Sequence, residues 1–299
     1  MVGHNPPYIF IPMTRANVSS TTFDQLCSQA ENLREQGHYA AAEQHFLQAA
    51  QQPDAQTKSN RAYVANGLGV LYKYMGRFDE AEPLYREALS LVEETQGKHH
   101  PDVAAVYHNL GGLEHARGNY AKGEPLARRA VAIREAALGA EHPDVAADVA
   151  ALAALVDGQR RFDEAIALYE RAIAIFKRVY SSNHLEIGIN KNNLAAIYYQ
   201  QGRYVEAEIF YLQALTIKER ALGAEHPSVG MTLNNIGALY VAQGKLAEAQ
   251  ATYERALAIF EATLTADHPH VVICQANIAD LDATANLAIK AEQEHDEPF

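Results

Sequence analysis

Apolar and small residues return along this chain every 42 positions. A large apolar residue keeps this step over five copies, and so does an alanine ten residues later (Phe78, Tyr120, Phe162, Tyr204 and Leu246; Ala88, Ala130, Ala172, Ala214 and Ala256). A histidine keeps the same step, and proline follows four of its five copies (His100, His142, His184, His226 and His268; Pro101, Pro143, Pro227 and Pro269). Three kinds of position in one register predict a stack of repeated supersecondary units, which presents an extended surface.

Within one copy, the apolar spacing predicts two amphipathic helices, one before Gly76 and one between Phe78 and Gly97. Gly76 is expected to end the first helix, because glycine adopts the left-handed conformation of a helix C-terminus at low cost. Pro101, which follows the repeating His100, falls near the first position of the next helix, where its fixed φ is favourable. Each copy is therefore predicted to be a helical hairpin.

The residues of this copy resemble the tetratricopeptide repeat. That family carries Leu-Gly and Tyr in the first helix, then Gly, an aromatic residue and two alanines, which correspond here to Leu68, Gly69, Tyr72, Gly76, Phe78, Ala81, Tyr85 and Ala88. The 42-residue length and the segments LNNIGALYVAQGKLAEAQATYERALAIFE (233–261) and ALGAEHP (137–143 and 221–227) are similar to kinesin light chains and their bacterial relatives. The resemblance covers residues 22–285. It implies an all-α fold, a TPR α-α superhelix of six helical hairpins plus a C-terminal capping helix.

The repeat spacing predicts eight segments along the chain. They are an extended N-terminal segment, a degenerate first repeat, five further repeats, and a capping helix with an acidic tail, at residues 1–21, 22–58, 59–102, 103–144, 145–186, 187–228, 229–270 and 271–299. The fourth repeat has Arg160 where glycine recurs, and Gly158 two residues earlier. We therefore expect its turn between helices to differ from the others.

The opening segment PPYIFIPM, residues 6–13, is apolar and rich in proline. It could pack along the surface of the chain itself, or it could be a docking peptide for a partner. A third interpretation is a disordered terminus.

Charge and cysteine content restrict the class of partner. The net charge of −12 disfavours nucleic acid and anionic membranes as partners. Cys27 and Cys274 lie at opposite ends of the chain, so a disulfide between them is not expected, and two lone cysteines fit a reducing compartment. No apolar run approaches the roughly 18 residues of a spanning helix. We expect a cytoplasmic protein that does not associate with membranes.

The resemblance also implies where a partner would bind. In this family the first helices line a concave groove for extended peptides or partner helices. Carried over by position, the groove would contain Asn66, Lys73, His108, Asn109, His115, Asn192, Asn193, Tyr199, Asn234, Asn235 and Asn277. The repeated asparagines have two interpretations, because their amides could bind the backbone of a ligand or could bridge neighbouring hairpins as buried, satisfied groups.

Candidate catalytic and metal residues are few. His108 and His115 lie seven residues apart, and no HExxH or CxxC pattern accompanies them. Our first hypothesis is a non-catalytic scaffold without cofactors that binds another protein, as a peptide, helix or protein surface, in the groove. The alternative is an accessory protein that binds bacterial tubulin-like filaments. The resemblance implies this role because some bacterial kinesin-light-chain-like proteins look linked to bacterial tubulins. A metal-binding or catalytic protein is the remote alternative.

Overall fold

The computed structural model describes residue 13 and residues 22–295. These residues form thirteen α-helices and one short 3-10 helix, Pro53–Gln56, and contain no strand. The prediction of an all-α fold is therefore confirmed. In chain order, α1 to α13 are Thr22–Glu35, Tyr39–Ala50, Lys58–Tyr74, Phe78–Gln96, Pro101–Ala116, Tyr120–Leu138, Pro143–Gly158, Phe162–Val179, Leu185–Gln200, Tyr204–Leu222, Pro227–Ala242, Leu246–Thr263 and Pro269–His295.

The helices belong to two compact units, whose described residues are 13 and 22–175 in the first and 176–295 in the second. In the first unit, α1 packs on α2, α3 on α4 and α5 on α6. In the second unit, α9 packs on α10 and α11 on α12, and α13 packs on α12. The helical hairpin is thus the packing unit in both. The eight predicted segment boundaries stay a prediction.

Alanine fills the seam of the hairpins, and in most of them a buried tyrosine lies beside it. The five alanines that recur every 42 residues are fully buried, which allows the two helices to approach closely. Tyr85 in the first unit and Tyr211 in the second are among the largest fully buried side chains. Met13 is buried in the core of the first unit. The rest of the opening segment, residues 6–12, lies outside the described residues.

The repeating histidine is the N-cap of the next first helix. In all five copies its Nδ1 accepts a hydrogen bond from the backbone N–H two residues later, at 3.1 to 3.4 Å. In α5, α7 and α11 the following proline occupies the first turn of the helix. This bond satisfies one of the N–H groups that a helix start leaves without an intrahelical partner. The histidine is thus a framework residue.

The turn between α7 and α8 corrects an expectation. Arg160 has a φ of 60°, so it adopts the left-handed conformation that Gly76 supplies in α3. The N–H of Arg160 donates to the carbonyl of Asp157 at 2.7 Å, as Gly76 donates to Lys73 at 3.1 Å. The turn is therefore the same, and the prediction that it differs was wrong. The left-handed conformation of a non-glycine residue costs about 1–2 kcal/mol.

Gly158 has a separate role inside the last turn of α7. A Cβ at this position would come within 2.5 Å of the ring of Tyr120. The missing side chain therefore permits the close approach of α7 to α6, and it does not serve the turn.

Candidate partner-binding surface on the first helices

The predicted groove residues divide into two groups by burial. They lie on α3, α5, α9, α11 and α13, the first helices of successive hairpins and the terminal helix. Four are only half-buried, namely Lys73, His115, Tyr199 and Asn277. The other seven are buried, namely Asn66, His108, Asn109, Asn192, Asn193, Asn234 and Asn235.

Amide pairs join neighbouring hairpins within each unit. In the first unit, Asn109 Nδ2 on α5 donates to Asn66 Oδ1 on α3 at 2.9 Å. In the second unit, Asn277 Nδ2 on α13 donates to Asn234 Oδ1 on α11, also at 2.9 Å. Both pairs are 43 residues apart, one repeat plus one position. For these four residues the structure shows the bridging interpretation, and a role in partner binding stays a prediction.

A buried ionic cluster, which we call the arginine cluster, lies beside the amide pair of the first unit. It consists of Arg134 on α6, Asp148 on α7 and His108 on α5, all buried. Arg134 Nε donates to Asp148 Oδ2 at 2.6 Å, and His108 Nδ1 lies 2.8 Å from Asp148 Oδ1. Asp144 at the start of α7 is a further, more distant acceptor, 3.4 Å from Arg134 Nη1. One carboxylate therefore binds two side chains from two other helices.

The second unit has a cluster in the same register that lacks a carboxylate. This lysine cluster consists of Lys218 on α10, Thr232 on α11 and Asn192 on α9, each two repeats beyond its counterpart in the arginine cluster. Lys218 Nζ donates to Thr232 Oγ1 at 2.7 Å and to the Ser228 carbonyl at 3.3 Å. Thr232 Oγ1 in turn donates to Asn192 Oδ1 at 3.1 Å. Every acceptor in this chain of hydrogen bonds is a neutral oxygen.

The missing counter-charge changes the titration of the lysine. Burial lowers the pKa of Lys218 to about 7, since no carboxylate compensates for the water that the ammonium group loses. Burial first, and the charge of Lys218 second, lower the pKa of the neighbouring His226. A neutral lysine amine is consequently well populated in this cluster at neutral pH.

The half-buried groove residues lie against aromatic rings. His115 meets the edge of Tyr120 at 5.3 Å between centroids, and Tyr199 lies 5.8 Å from Tyr204. Both contacts join the end of a first helix to the start of its own second helix. His115 and Tyr199 are therefore partly exposed, and each is held in place by the ring of a tyrosine.

Lys73 has the most elaborate surroundings of the half-buried group. Its Nζ lies 5.0 Å from the centre of the exposed Tyr74 ring, and Tyr74 stacks on Tyr39 at 6.3 Å. Burial, and secondly the charge of Arg34, lower the pKa of Lys73 to about 8. Tyr39 and Tyr74 are not among the groove residues predicted from the sequence. The signal was an aromatic residue directly after a groove lysine at the end of a first helix.

Four members of the two clusters were also not predicted from the sequence, namely Arg134, Asp148, Lys218 and Thr232. A signal existed for the two cations, because other repeats carry apolar residues in their register, Val92, Phe176 and Phe260. A charged residue at a core position indicates a buried polar network.

The described part of the chain contains no group of three histidine, cysteine or acidic side chains placed to hold a metal ion. Among the same residues, no helix is both long and apolar enough to cross a membrane. Cys27 and Cys274 are both buried.

The repeated hairpins, their caps and their small-residue seams identify the class of protein. The tetratricopeptide-repeat profile matches residues 60–122, 102–178, 186–262 and 228–296, and the chain belongs to the tetratricopeptide repeat family. No curated protein matches the sequence.

Solved structures refine the resemblance. The chain is 28% identical to kinesin light chain nearly identical TPR-like repeats of Podosopora anserina, over 70% of this chain and 98% of that one, with a TM-score of 0.58. It is 26% identical to BtubC (BKLC) from P. vanneervenii, over 81% and 92%, with a TM-score of 0.60. The tetratricopeptide-repeat sensor protein PH0952 of Pyrococcus horikoshii, a signal transduction ATPase, shares the fold at 15% identity, over 88% and 39%, with a TM-score of 0.65. The predicted similarity to kinesin-light-chain-type repeats is confirmed.

Proposed function

We propose that this chain is a non-catalytic scaffold that binds another protein along its first helices. The observation that carries the proposal is that Lys73 and His115 in the first unit, and Tyr199 in the second, are half-buried at the same position of the repeat. Each lies beside an aromatic ring. Partly exposed amphipathic side chains at the spacing of the repeat, such as Lys73 and His115, suit the regular backbone of an extended peptide or a helix.

The amide pairs support this role indirectly. Because Asn66 with Asn109, and Asn234 with Asn277, are held by hydrogen bonds between hairpins, neighbouring first helices within each unit are linked before a partner arrives. An ordered binding surface lowers the conformational entropy that binding must remove. The partner would therefore contact the half-buried residues of helices that are already fixed.

The charge of these half-buried residues indicates the chemistry of the partner. Lys73 has a pKa lowered to about 8, and the other two residues are His115 and Tyr199. A nearly neutral, aromatic surface favours a partner segment with apolar or aromatic side chains over a strongly acidic one. The net charge of −12 supports a protein partner over a nucleic acid. We also propose a cytoplasmic location, which the low content of two cysteines supports.

Site-specific photo-crosslinking tests this function. A photoreactive residue replaces Lys73 or Tyr199 in one pair of variants, and it replaces the exposed Arg86 on a second helix in the control. We expect the same partner to crosslink from positions 73 and 199 and not from position 86. Crosslinking from position 86 alone would place the binding surface elsewhere.

A loss-of-contact variant complements the crosslinks. Tyr199→Ala removes a half-buried ring, and we expect it to weaken capture of the crosslinked partner about tenfold or more. The melting temperature should fall only slightly, because the ring is partly exposed and lies at the end of the hairpin, beside Tyr204. Unchanged capture would remove Tyr199 from the site.

The likeness to BtubC favours a second candidate function, an accessory role on bacterial tubulin-like filaments. A repeat surface could contact several protomers of such a filament. Co-sedimentation with polymerised bacterial tubulin tests this role, with unpolymerised tubulin as the control. Pelleting with filaments supports it, whereas absence from the pellet at both low and high salt would exclude it.

A further inference from the structure

The second helix α10 has an apolar stripe on its solvent side. Val205, Ile209 and Leu212 are 69%, 50% and 41% exposed, and they recur at i, i+4 and i+7. The exposed Thr216 continues the stripe by four residues. Its hydroxyl donates to the Leu212 carbonyl at 2.9 Å, so its polar group is satisfied within the helix. We call these four residues the α10 stripe.

The four other repeats of 42 residues do not have this stripe. At the positions that correspond to Val205, Ile209 and Leu212 they carry acidic, basic, small or proline residues, all exposed. These are Asp79, Ala121, Asp163 and Ala247; Pro83, Pro125, Ala167 and Ala251; and Arg86, Arg128, Glu170 and Glu254. The hairpin framework therefore does not require apolar side chains there, and the stripe needs another explanation.

The register of Leu212 makes the contrast clear. In α4, Arg86 pairs with Glu82 four residues earlier, at 2.7 Å. In α10 the corresponding acid, Glu208, is present, but leucine stands in place of the arginine. Glu208 pairs instead with Lys245 at 3.1 Å. A surface ion pair has thus been replaced by an apolar contact point.

The charged residues beside the stripe are paired with other side chains. Arg203 pairs with Glu206 at 2.9 Å, Glu208 with Lys245, and Lys191 donates to Gln213. The chain as a whole carries a net charge of −12, and two copies would repel each other through most surfaces. Along α10 this repulsion is locally small.

We propose that the α10 stripe is a self-association surface through which two copies of this chain form a weak homodimer. The steps of four, three and four residues are those of a coiled-coil seam. In an antiparallel pair with its two-fold axis between Ile209 and Leu212, each Ile209 faces the Leu212 of the other copy. A two-fold contact uses the same patch on both molecules, and this stripe is apolar on both sides of its centre.

The flanks of this arrangement are compatible. In the same antiparallel register, Glu206 of one copy lies near Gln213 of the other, so the carboxylate meets an amide. The stripe covers three helical turns, roughly 16 Å. One helix pair buries less than the roughly 800 Å² per partner of a stable interface, so the dimer should depend on concentration. This surface is on a second helix and is independent of the proposed groove.

Sedimentation equilibrium of the full chain, from micromolar to millimolar concentration, tests the proposal. We expect the wild-type mass to rise towards twice that of the monomer. The variants are Ile209→Glu and Leu212→Arg, and the second installs the residue that Arg86 and Arg128 supply in the same register. Each should raise the dissociation constant roughly tenfold or more. Ala251→Glu, at the position of Ile209 in the next repeat, is the matched control and should behave as wild type.

Three results would overturn the proposal. One is a wild-type mass that stays monomeric over the whole range. Another is association of both stripe variants with the wild-type dissociation constant. The third is an equal loss of association in Ala251→Glu, since the contact would then not be specific to α10. Circular dichroism melts of all variants establish that the fold is retained, and Leu212→Arg keeps the test valid if Ile209→Glu unfolds.

Discussion

The arginine cluster and the lysine cluster occupy the same register in the two units but differ in their chemistry. In the first unit, Asp148 neutralises Arg134 and also binds His108. In the second, Thr232 stands in the place of the aspartate, and Lys218 donates only to a hydroxyl and a carbonyl oxygen. One framework therefore accommodates either a buried ion pair or a buried amine with neutral acceptors.

This difference shows how a repeat fold accommodates a buried cation. Arginine keeps its charge at any physiological pH, so its burial requires a carboxylate. Lysine can lose its proton, and Lys218 with a pKa of about 7 can remain buried without a counter-charge. As a consequence, the titration of Lys218 makes the stability of the second unit depend on pH. Arg134 does not have this effect in the first unit, because it stays charged.

The largest effect is expected from Asp148→Asn. The substitution leaves Arg134 charged and buried without its carboxylate, at a cost of about 3–5 kcal/mol in the free energy of unfolding. Denaturant unfolding at pH 7 measures the loss. The control is Asp144→Asn, which removes only the partly exposed acceptor at 3.4 Å and should cost less than about 1 kcal/mol. Equal losses in both variants would show that Asp148 is not the principal counter-ion.

Lys218→Met is expected to raise the stability of the chain, whereas Asp148→Asn lowers it. Methionine of similar length fills the site without a charge, so the variant should be more stable by about 1–4 kcal/mol at pH 6, or at least equal to wild type. Urea titration, which gives the free energy of unfolding of both proteins, measures this difference. A strong loss of stability would mean that the lysine hydrogen bonds outweigh the burial of the amine.

The stability difference between Lys218→Met and the wild type depends on pH in a defined way. Lys218 has a pKa of about 7 in the folded chain and about 10.4 in the unfolded chain. Between these values the unfolded chain binds more protons, so this group makes stability rise with pH from about 7 to 10 and leaves it depressed below pH 7. The difference between Lys218→Met and wild type should therefore shrink as the pH rises over that range. A constant difference would contradict the lowered pKa.

Installing the carboxylate of the first unit sharpens the comparison. Thr232→Asp gives Lys218 the counter-charge that Asp148 gives Arg134, and a charge-assisted hydrogen bond contributes about 1.5–3 kcal/mol. We expect a higher melting temperature at pH 7. The rise of stability between pH 7 and 10 should also disappear, because the pKa of Lys218 returns towards its ordinary value. Thr232→Asn, which has the shape but not the charge, is the control.

The smallest effects are expected at the amide pairs. Asn109→Ala leaves the buried oxygen of Asn66 without its donor and should cost about 1–3 kcal/mol. Asn277 is half-buried, so water can replace its hydrogen bond to Asn234, and Asn277→Ala should cost about 0.5–1 kcal/mol. Thermal melts of both variants give the order. A larger loss at Asn277 would contradict the difference in burial.

The helix that carries each predicted groove residue was predictable, but its burial was predictable only in part. The repeat register placed eleven residues on the first helices and the terminal helix, and the structure finds them there. It could not separate the half-buried Lys73, His115 and Tyr199 from the buried asparagines, because exposure depends on how far neighbouring hairpins approach one another. It also missed Asp148 and Thr232, whose partners lie 40 residues away in the chain.

The sequence by itself determined the period, the helix ends and the hairpin, because each depends on local chemistry. Glycine tolerates positive φ, proline suits the first helical turn, and alanine spacing defines a seam. Tertiary structure decided which polar groups meet, and it placed Arg160 in a left-handed conformation that local preference disfavours. Packing between hairpins determines both features, because contacts across a whole repeat can outweigh a local cost of about 1–2 kcal/mol.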